Sequence, residues 1–253
     1  MSRIAASARN AALVLAFAAG PAAPAMAASL TPVVAPSDAY ASQFGTNNNC
    51  MVACMGEGQR LQTVYAGSLF GEEAFYLRGM AFRYRAVEYP ANPQSYTRDL
   101  AITLSSTTKA VDGLSPTFAE NVGTDAVLVL DGPVTFAPGG GTFAFDQVIM
   151  FDQDFLFDPT KGNLLVDLLH KDDRPYPVVY FYYDAINSTG DGMSRVVGLN
   201  SQDTAHPIGV DSVALVTKFF RIEGEALPVP EPASAPLLAA SLALLAALPR
   251  RKP

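Results

Sequence analysis

Apolar and polar residues alternate over much of the segment between residues 59 and 227. In one run, every second side chain is apolar or aromatic and two arginines lie between them: Met80, Phe82, Tyr84 and Ala86, with Arg83 and Arg85 on the other face. Leu100, Ile102 and Leu104 repeat the pattern. A period of two predicts β-strands with one buried face.

Turn-forming residues separate these runs. Asp131-Gly132 and the Pro-Gly-Gly-Gly sequence at 138–141 are strong turn signals. Residues 178–183 and 212–222 are rich in the aromatic and β-branched side chains that favour strands. We count nine or ten predicted strands, and only residues 163–169 fit a short helix as well as a strand.

This pattern predicts an all-β fold, with a single antiparallel β-sandwich or jelly-roll domain over residues 58–227. A parallel α/β fold would need helical patterns between the strands, and a β-helix would need a fixed repeat; neither is present in the sequence. Residues 28–57 are rich in Ala, Pro, Ser, Asn and Gly, which indicates a spacer before the domain.

The first 27 residues have the three regions of a secretory signal peptide. Arg3 and Arg9 provide a basic start, residues 11–19 form an apolar core, and Ala25-Met26-Ala27 has the small-x-small pattern of a cleavage site. The apolar core is too short to span a bilayer. We therefore expect export, with cleavage after Ala27.

The tail, residues 228–253, has three parts in order: the tripeptide Pro230, Glu231 and Pro232, the apolar run 233–248, and the basic residues Arg250, Arg251 and Lys252. As a helix, the 16-residue run would be about 24 Å long, somewhat short of a ~30 Å hydrocarbon core. Three cations beyond it would hold that end on the cytoplasmic side. The pattern predicts a transmembrane helix flanked by stiff, proline-containing chain.

The tail resembles the PEP-CTERM sorting signal of Gram-negative bacteria. This resemblance rests on Pro230-Glu231-Pro232, the apolar run and the basic C-terminus. It implies that an exosortase, a membrane-bound processing enzyme, recognises the tripeptide and removes the tail. The mature protein would then lie at the cell surface or in an extracellular polysaccharide matrix. An ordinary C-terminal membrane anchor is the alternative.

Removing both end segments makes the rest of the chain more acidic. The ends hold five of the 17 basic residues and one of the 24 acidic residues, so 12 basic and 23 acidic residues remain, a net charge of about −11. Such a surface keeps an exported protein soluble and repels nucleic acid. We therefore expect no nucleic-acid partner.

Cys50 and Cys54 are the two cysteines of the chain. An exported protein meets an oxidising compartment, so a local disulfide is favoured and free thiols are the alternative. The loop would be short, so its stabilisation would be at the low end, ~2 kcal/mol. Zinc would need two further ligands, and His170 and His206 are both distant in sequence.

Three carboxylates form a candidate calcium site. Asp152 and Asp154 are two residues apart on a predicted strand, and Asp158 follows at a turn. Calcium takes six to eight oxygen ligands, but the spacing does not fit an EF-hand loop. The oxygen-rich segment 184–192 is a second candidate, and an ordinary exposed turn is the favoured explanation of either stretch. Otherwise we expect no cofactor.

No catalytic motif accompanies these residues. A nucleophile elbow and a phosphate-binding loop are missing from the sequence, and we expect His170, at the end of a predicted strand, to be solvated. The sequence favours a non-catalytic protein that binds exopolysaccharide or supports its matrix structurally. A polysaccharide hydrolase or lyase that uses acidic residues on a jelly-roll face is the alternative.

Overall fold

The computed structural model of the protein describes residues 30–49, 59–85, 95–137, 141–171, 182–198, 203–204 and 210–222. These ranges contain thirteen β-strands: β1 (Leu30–Ala35), β2 (Asn47–Asn49), β3 (Arg60–Tyr65), β4 (Phe75–Phe82), β5 (Tyr96–Thr107), β6 (Val127–Phe136), β7 (Gln147–Phe157), β8 (Asn163–His170), β9 (Tyr183–Asn187), β10 (Met193–Gly198), β11 (Val210–Asp211), β12 (Val213–Leu215) and β13 (Thr217–Ile222). They also contain four short 3₁₀-helices: η1 (Asp38–Ala41), η2 (Gly67–Leu69), η3 (Phe118–Glu120) and η4 (Pro159–Lys161).

The strands form three sheets in which every pairing is antiparallel. A four-stranded sheet has the order β1-β13-β4-β7, and a six-stranded sheet has the order β11-β10-β3-β8-β5-β6. A small sheet, β12-β9-β2, completes the set. The predicted all-β, antiparallel fold is therefore confirmed. Over the described ranges, no helix has the length and apolar character needed to cross a membrane.

The two larger sheets pack their inner faces against one core, in a sandwich-like arrangement. The Tyr65 ring on β3 meets the Phe219 ring on β13 edge-on, with centroids 5.0 Å apart, and its hydroxyl lies 2.9 Å from the Thr217 hydroxyl. Phe70 packs against Phe219 and Phe157. Contacts of this kind across the interior join the sheets, because each has one continuous apolar face to bury.

The alternation predicted on β5 is confirmed. Leu100, Ile102 and Leu104 are fully buried, whereas Ala101 and Thr103 between them are half-buried. The ambiguous stretch 163–169 is part of a strand, β8, which pairs with β3 and β5.

The spacer predicted over residues 28–57 is wrong for its described part. β1 pairs with β13 along its whole length, and β2 pairs with β9. Pro32 obscures β1 in the sequence, because proline cannot donate to a ladder; it is tolerated here because β1 is an edge strand. The predicted signal peptide, the predicted disulfide of Cys50 and Cys54, and the predicted sorting signal from residue 228 lie outside the described residues.

Candidate functional site

The outer face of the four-stranded sheet carries three rows of mostly apolar residues, with Lys218 and the Arg78–Asp154 ion pair among them. Residues paired across neighbouring strands lie on the same face of a sheet. Two rows cross this face from β1 to β7: Leu30, Ile222, Tyr76 and Leu156, then Pro32, Phe220, Gly79 and Met150. A third row adds Val34, Lys218, Ala81 and Val148. Among the side chains of these rows, Val34, Ala81 and Ile222 are buried. We call these three rows the outer apolar face.

Four residues of the outer apolar face are unusually exposed for their type. Leu30, Val148, Met150 and Leu156 are between 41% and 51% exposed. Across the described part of the chain, two other large apolar side chains are comparably exposed, Leu128 and Val210, and both lie on the six-stranded sheet. Clustering of exposed apolar groups on one face, rather than their single occurrence, indicates a contact surface.

Gly79 allows Met150 to lie across the middle of this face. A Cβ atom at Gly79 would be 2.7 Å from the Ile149 carbonyl oxygen and 3.0 Å from the Met150 sulfur. Any larger residue would therefore displace the methionine. The register shift between Leu77 and Gly79 places Arg78 and its partner Asp154 between this row and the row of Tyr76 and Leu156.

The three carboxylates of the candidate calcium site have separate surroundings. Asp154 accepts two hydrogen bonds from Arg78, Nε to Oδ1 at 3.0 Å and Nη2 to Oδ2 at 2.6 Å. Asp158 caps η4 by accepting from the Thr160 backbone N–H and hydroxyl, at 3.1 and 2.6 Å. Asp152 is exposed on β7. Within the described ranges, no group of three or more His, Cys, Asp or Glu side chains is arranged to hold a metal ion.

Neighbouring residues of its turn lower the pKa of Asp158. The hydrogen bond from the Thr160 hydroxyl, followed by the contact with the Lys161 ammonium, lowers the pKa of Asp158. These partners are typical of a helix N-cap. The carboxylate thus has a structural role in the turn that follows β7.

In the second candidate loop, residues 184–192, carboxylate oxygens also accept hydrogen bonds from protein groups. Asp191 accepts from the Met193 backbone N–H at 2.9 Å, and burial raises the pKa of Asp191. Asp112 on a neighbouring turn accepts from the Gly190 backbone N–H at 3.2 Å and from the Ser212 hydroxyl at 3.0 Å. Through Asp112, these bonds connect the loop to Ser212, the residue just before β12.

Asp184, at the start of that loop, belongs to a buried ion pair instead. Asp184 and Arg83 are both fully buried, and Arg83 Nε donates to Asp184 Oδ2 at 2.9 Å while its Nη2 contacts the same carboxylate. The Gly45 backbone N–H donates to both Asp184 carboxylate oxygens, at 2.9 and 3.0 Å. Arg85 lies 3.4 Å away and adds a second cation.

Arg83 also donates hydrogen bonds to η1 and to the segment that follows it. Arg83 Nη1 donates to the Tyr40 carbonyl and Nη2 to the Gln43 carbonyl. Three phenylalanine rings surround its guanidinium, with centroids 4.9 to 5.5 Å from the central carbon: Phe44, Phe143 and Phe145. The alternating pattern placed Arg83 opposite the apolar face of its strand, and it gave no sign that the guanidinium is buried between aromatic rings.

The prediction that the His170 side chain is solvated is wrong. Its side chain is fully buried at the end of β8, and its backbone N–H donates to the Gln59 carbonyl at 3.0 Å. The other histidine, His206, lies outside the described residues.

Among the residues that the structure describes, the outer apolar face has the largest cluster of exposed large apolar side chains. The candidate acids other than Asp152 have assigned protein partners. No protein-family model, no curated protein and no solved structure matches this chain.

Proposed function

We propose that this chain is an exported surface protein whose tail is recognised and removed by an exosortase-type membrane enzyme. One observation carries the proposal: the Pro230-Glu231-Pro232 tripeptide, the apolar run 233–248 and the basic cluster stand in that order, shortly after the last strand ends at Ile222. The signal-peptide pattern of residues 1–27 supports the same destination. The tail is a transmembrane helix until it is removed.

The domain itself serves outside the cell as a non-catalytic binding or structural component of an exopolysaccharide matrix. Its net charge of about −11 suits a soluble exported protein. The candidate acids Asp154 and Asp184 are engaged by Arg78 and Arg83, and these contacts support a structural role for them. The protein takes no cofactor in this role.

Intact-mass measurement of the protein secreted by its native host tests the sorting step. We expect a mass that lacks residues 1–27 and the apolar tail. A Glu231→Gln variant should remain in the membrane fraction with its tail, whereas Glu225→Gln, the same change outside the tripeptide, should be processed normally. Normal processing of Glu231→Gln, or recovery of cytosolic protein that retains Arg250, would refute the proposal.

A pull-down with the host's own exopolysaccharide tests the role of the domain. Retention of the secreted protein supports binding, and no retention at any calcium concentration would leave a purely structural role. Shortening of the polysaccharide during the experiment would instead favour the hydrolase or lyase function.

A further inference from the structure

We propose that the outer apolar face rests on the surface of the lipid bilayer that holds the tail, until the tail is removed. This inference rests on the proposed function, because it needs the apolar run 233–248 to be in a membrane. It assigns a partner to a cluster of exposed apolar side chains in the described part of the chain: Leu30, Val148, Met150 and Leu156.

The last described strand ends within this face. Ile222 ends β13, and it pairs directly with Leu30, at the start of β1. Residues 223–232 separate Ile222 from the apolar run. A fully extended chain of that length spans at most about 33–36 Å. The domain is therefore kept close to the bilayer. The row that contains Leu30 and Leu156 also contains Ile222, the last described residue before the tail.

The chemistry of the face suits the membrane interface. Leu30, Leu156 and Met150 are exposed and apolar, and Tyr76 and Phe220 lie half-buried beside them. Tyrosine and aliphatic side chains of this kind are typical of surfaces that enter the boundary between headgroups and acyl chains.

The charge of the face differs from that of the rest of the domain. Lys218 and Arg78 balance Asp152 and Asp154 on or beside it, although the segment between the two end signals carries a net charge of about −11. A bilayer with anionic lipids repels an acidic protein surface. The outer apolar face is therefore a surface that can approach such a bilayer without that repulsion.

A second copy of the chain fits this face less well. Four strands about 4.8 Å apart cover ~14 Å. Along the strands, the rows extend ~13 Å on β1, from Leu30 to Val34, and ~26 Å on β7, from Val148 to Leu156. Even with side chains, the footprint is roughly 300 Å², well below the ~800 Å² per partner of a stable protein–protein interface. A lipid surface needs no such area, because the tail already supplies the attachment and a high effective concentration.

A single-tryptophan reporter tests the proposal directly, because the chain contains no tryptophan. The full chain is reconstituted in vesicles of phosphatidylcholine and phosphatidylglycerol with brominated acyl chains, which quench nearby tryptophan. Leu156→Trp places the reporter on the face. Val210→Trp is the matched control on the six-stranded sheet, since the two side chains are similarly exposed, 51% and 47%.

We expect brominated lipid to lower the emission of Leu156→Trp at least about two-fold, because such faces lie ~5–10 Å into the headgroup boundary. The emission of Val210→Trp should not change. Met150→Trp provides a second reporter on the same face, and strand content measured by circular dichroism confirms that each variant folds.

Vesicle flotation separates this inference from the proposed function. If the chain floats with the vesicles but neither face reporter is quenched, the membrane contact is refuted and the anchoring role of the tail stands. If the chain does not float, both fail. Equal quenching of the face and control reporters would refute a specific face, and unquenched, blue-shifted emission with a doubled particle mass would assign the face to a second copy.

Discussion

The buried pair between Arg83 and Asp184 allows a sharp test of the packing. Replacing Arg83 with Met retains much of its volume and apolar stem but removes the guanidinium. The Asp184 carboxylate would then be left fully buried, with the Gly45 backbone N–H at 2.9–3.0 Å and Arg85 at 3.4 Å as its remaining partners.

The expected cost follows from these partners. Breaking a buried ion pair by removing one member costs about 3–5 kcal/mol, because the remaining charge is uncompensated. The Tyr40 and Gln43 carbonyls also lose their donor, but they lie on a partly exposed segment that water can reach, so they add little. Because Arg85 and the Gly45 N–H still partly compensate the Asp184 charge, we expect a loss at the lower end of this range, about 3 kcal/mol. That is a large part of the ~5–15 kcal/mol that holds a domain folded.

Urea denaturation of the purified protein, monitored by circular dichroism, measures this loss of unfolding free energy. Arg78→Met is the matched control, because Arg78 and Asp154 form a similar two-bond pair with side chains 34% and 28% exposed. Exposed pairs contribute ~0–1 kcal/mol. In the Arg83→Met variant, residues 40–47 should also become more sensitive to proteolysis, because the bonds from the Arg83 guanidinium that fix this segment are absent.

A double variant makes the reasoning refutable. Adding Asp184→Leu to Arg83→Met removes the orphaned charge, so the double variant should lose less stability than the sum of the two single variants. Strict additivity, or a loss for Arg83→Met no larger than that for Arg78→Met, would show that burial and charge pairing do not govern this cluster.

Two further substitutions test other features of the domain. Asp191 has a raised pKa in the folded state, so its ionisation opposes folding above its ordinary pKa; Asp191→Asn should raise the urea midpoint at neutral pH, and the gain should vanish in acid, below that ordinary pKa. Equal gains at both pH values would contradict this cause. Gly45→Ala would place a Cβ atom 2.2 Å from the Ala185 carbonyl oxygen, whereas a Cβ atom at Gly132 meets nothing within 4 Å. We expect Gly45→Ala to cost about 1–3 kcal/mol and Gly132→Ala to stay within about 0.5 kcal/mol, by the same denaturation experiment.

The sequence predicted strands well where one face is buried and the other is polar, as on β5. It did not separate β12 from β13, because residues 212–222 are rich in β-branched and aromatic side chains and contain no Gly, Pro, Asn or Asp turn signal. The two strands lie in different sheets, and the Val216 backbone N–H between them donates to the Asp184 carbonyl. Sheet membership depends on such distant partners. The short strands β2 and β11 have too few residues to show any period.

The candidate site was only partly visible in the sequence. Asp154 was identified as a candidate ligand, but its partner Arg78 is distant along the chain and joins it only through the pairing of β4 with β7. The outer apolar face did have a signal. The continuous run from Val148 to Phe151 lacks alternation, which is typical of strands with apolar residues on both faces.

The pairing of the first described strand with the last determines when the domain can fold. β1 can join its sheet only after β13 is available, and β13 also lies between β1 and β4. Contacts between such distant segments form slowly, since the loop must close before they contribute. During synthesis from the N-terminus, β4 and β7 can therefore pair early, whereas β1 stays unpaired until residues 217–222 have been made.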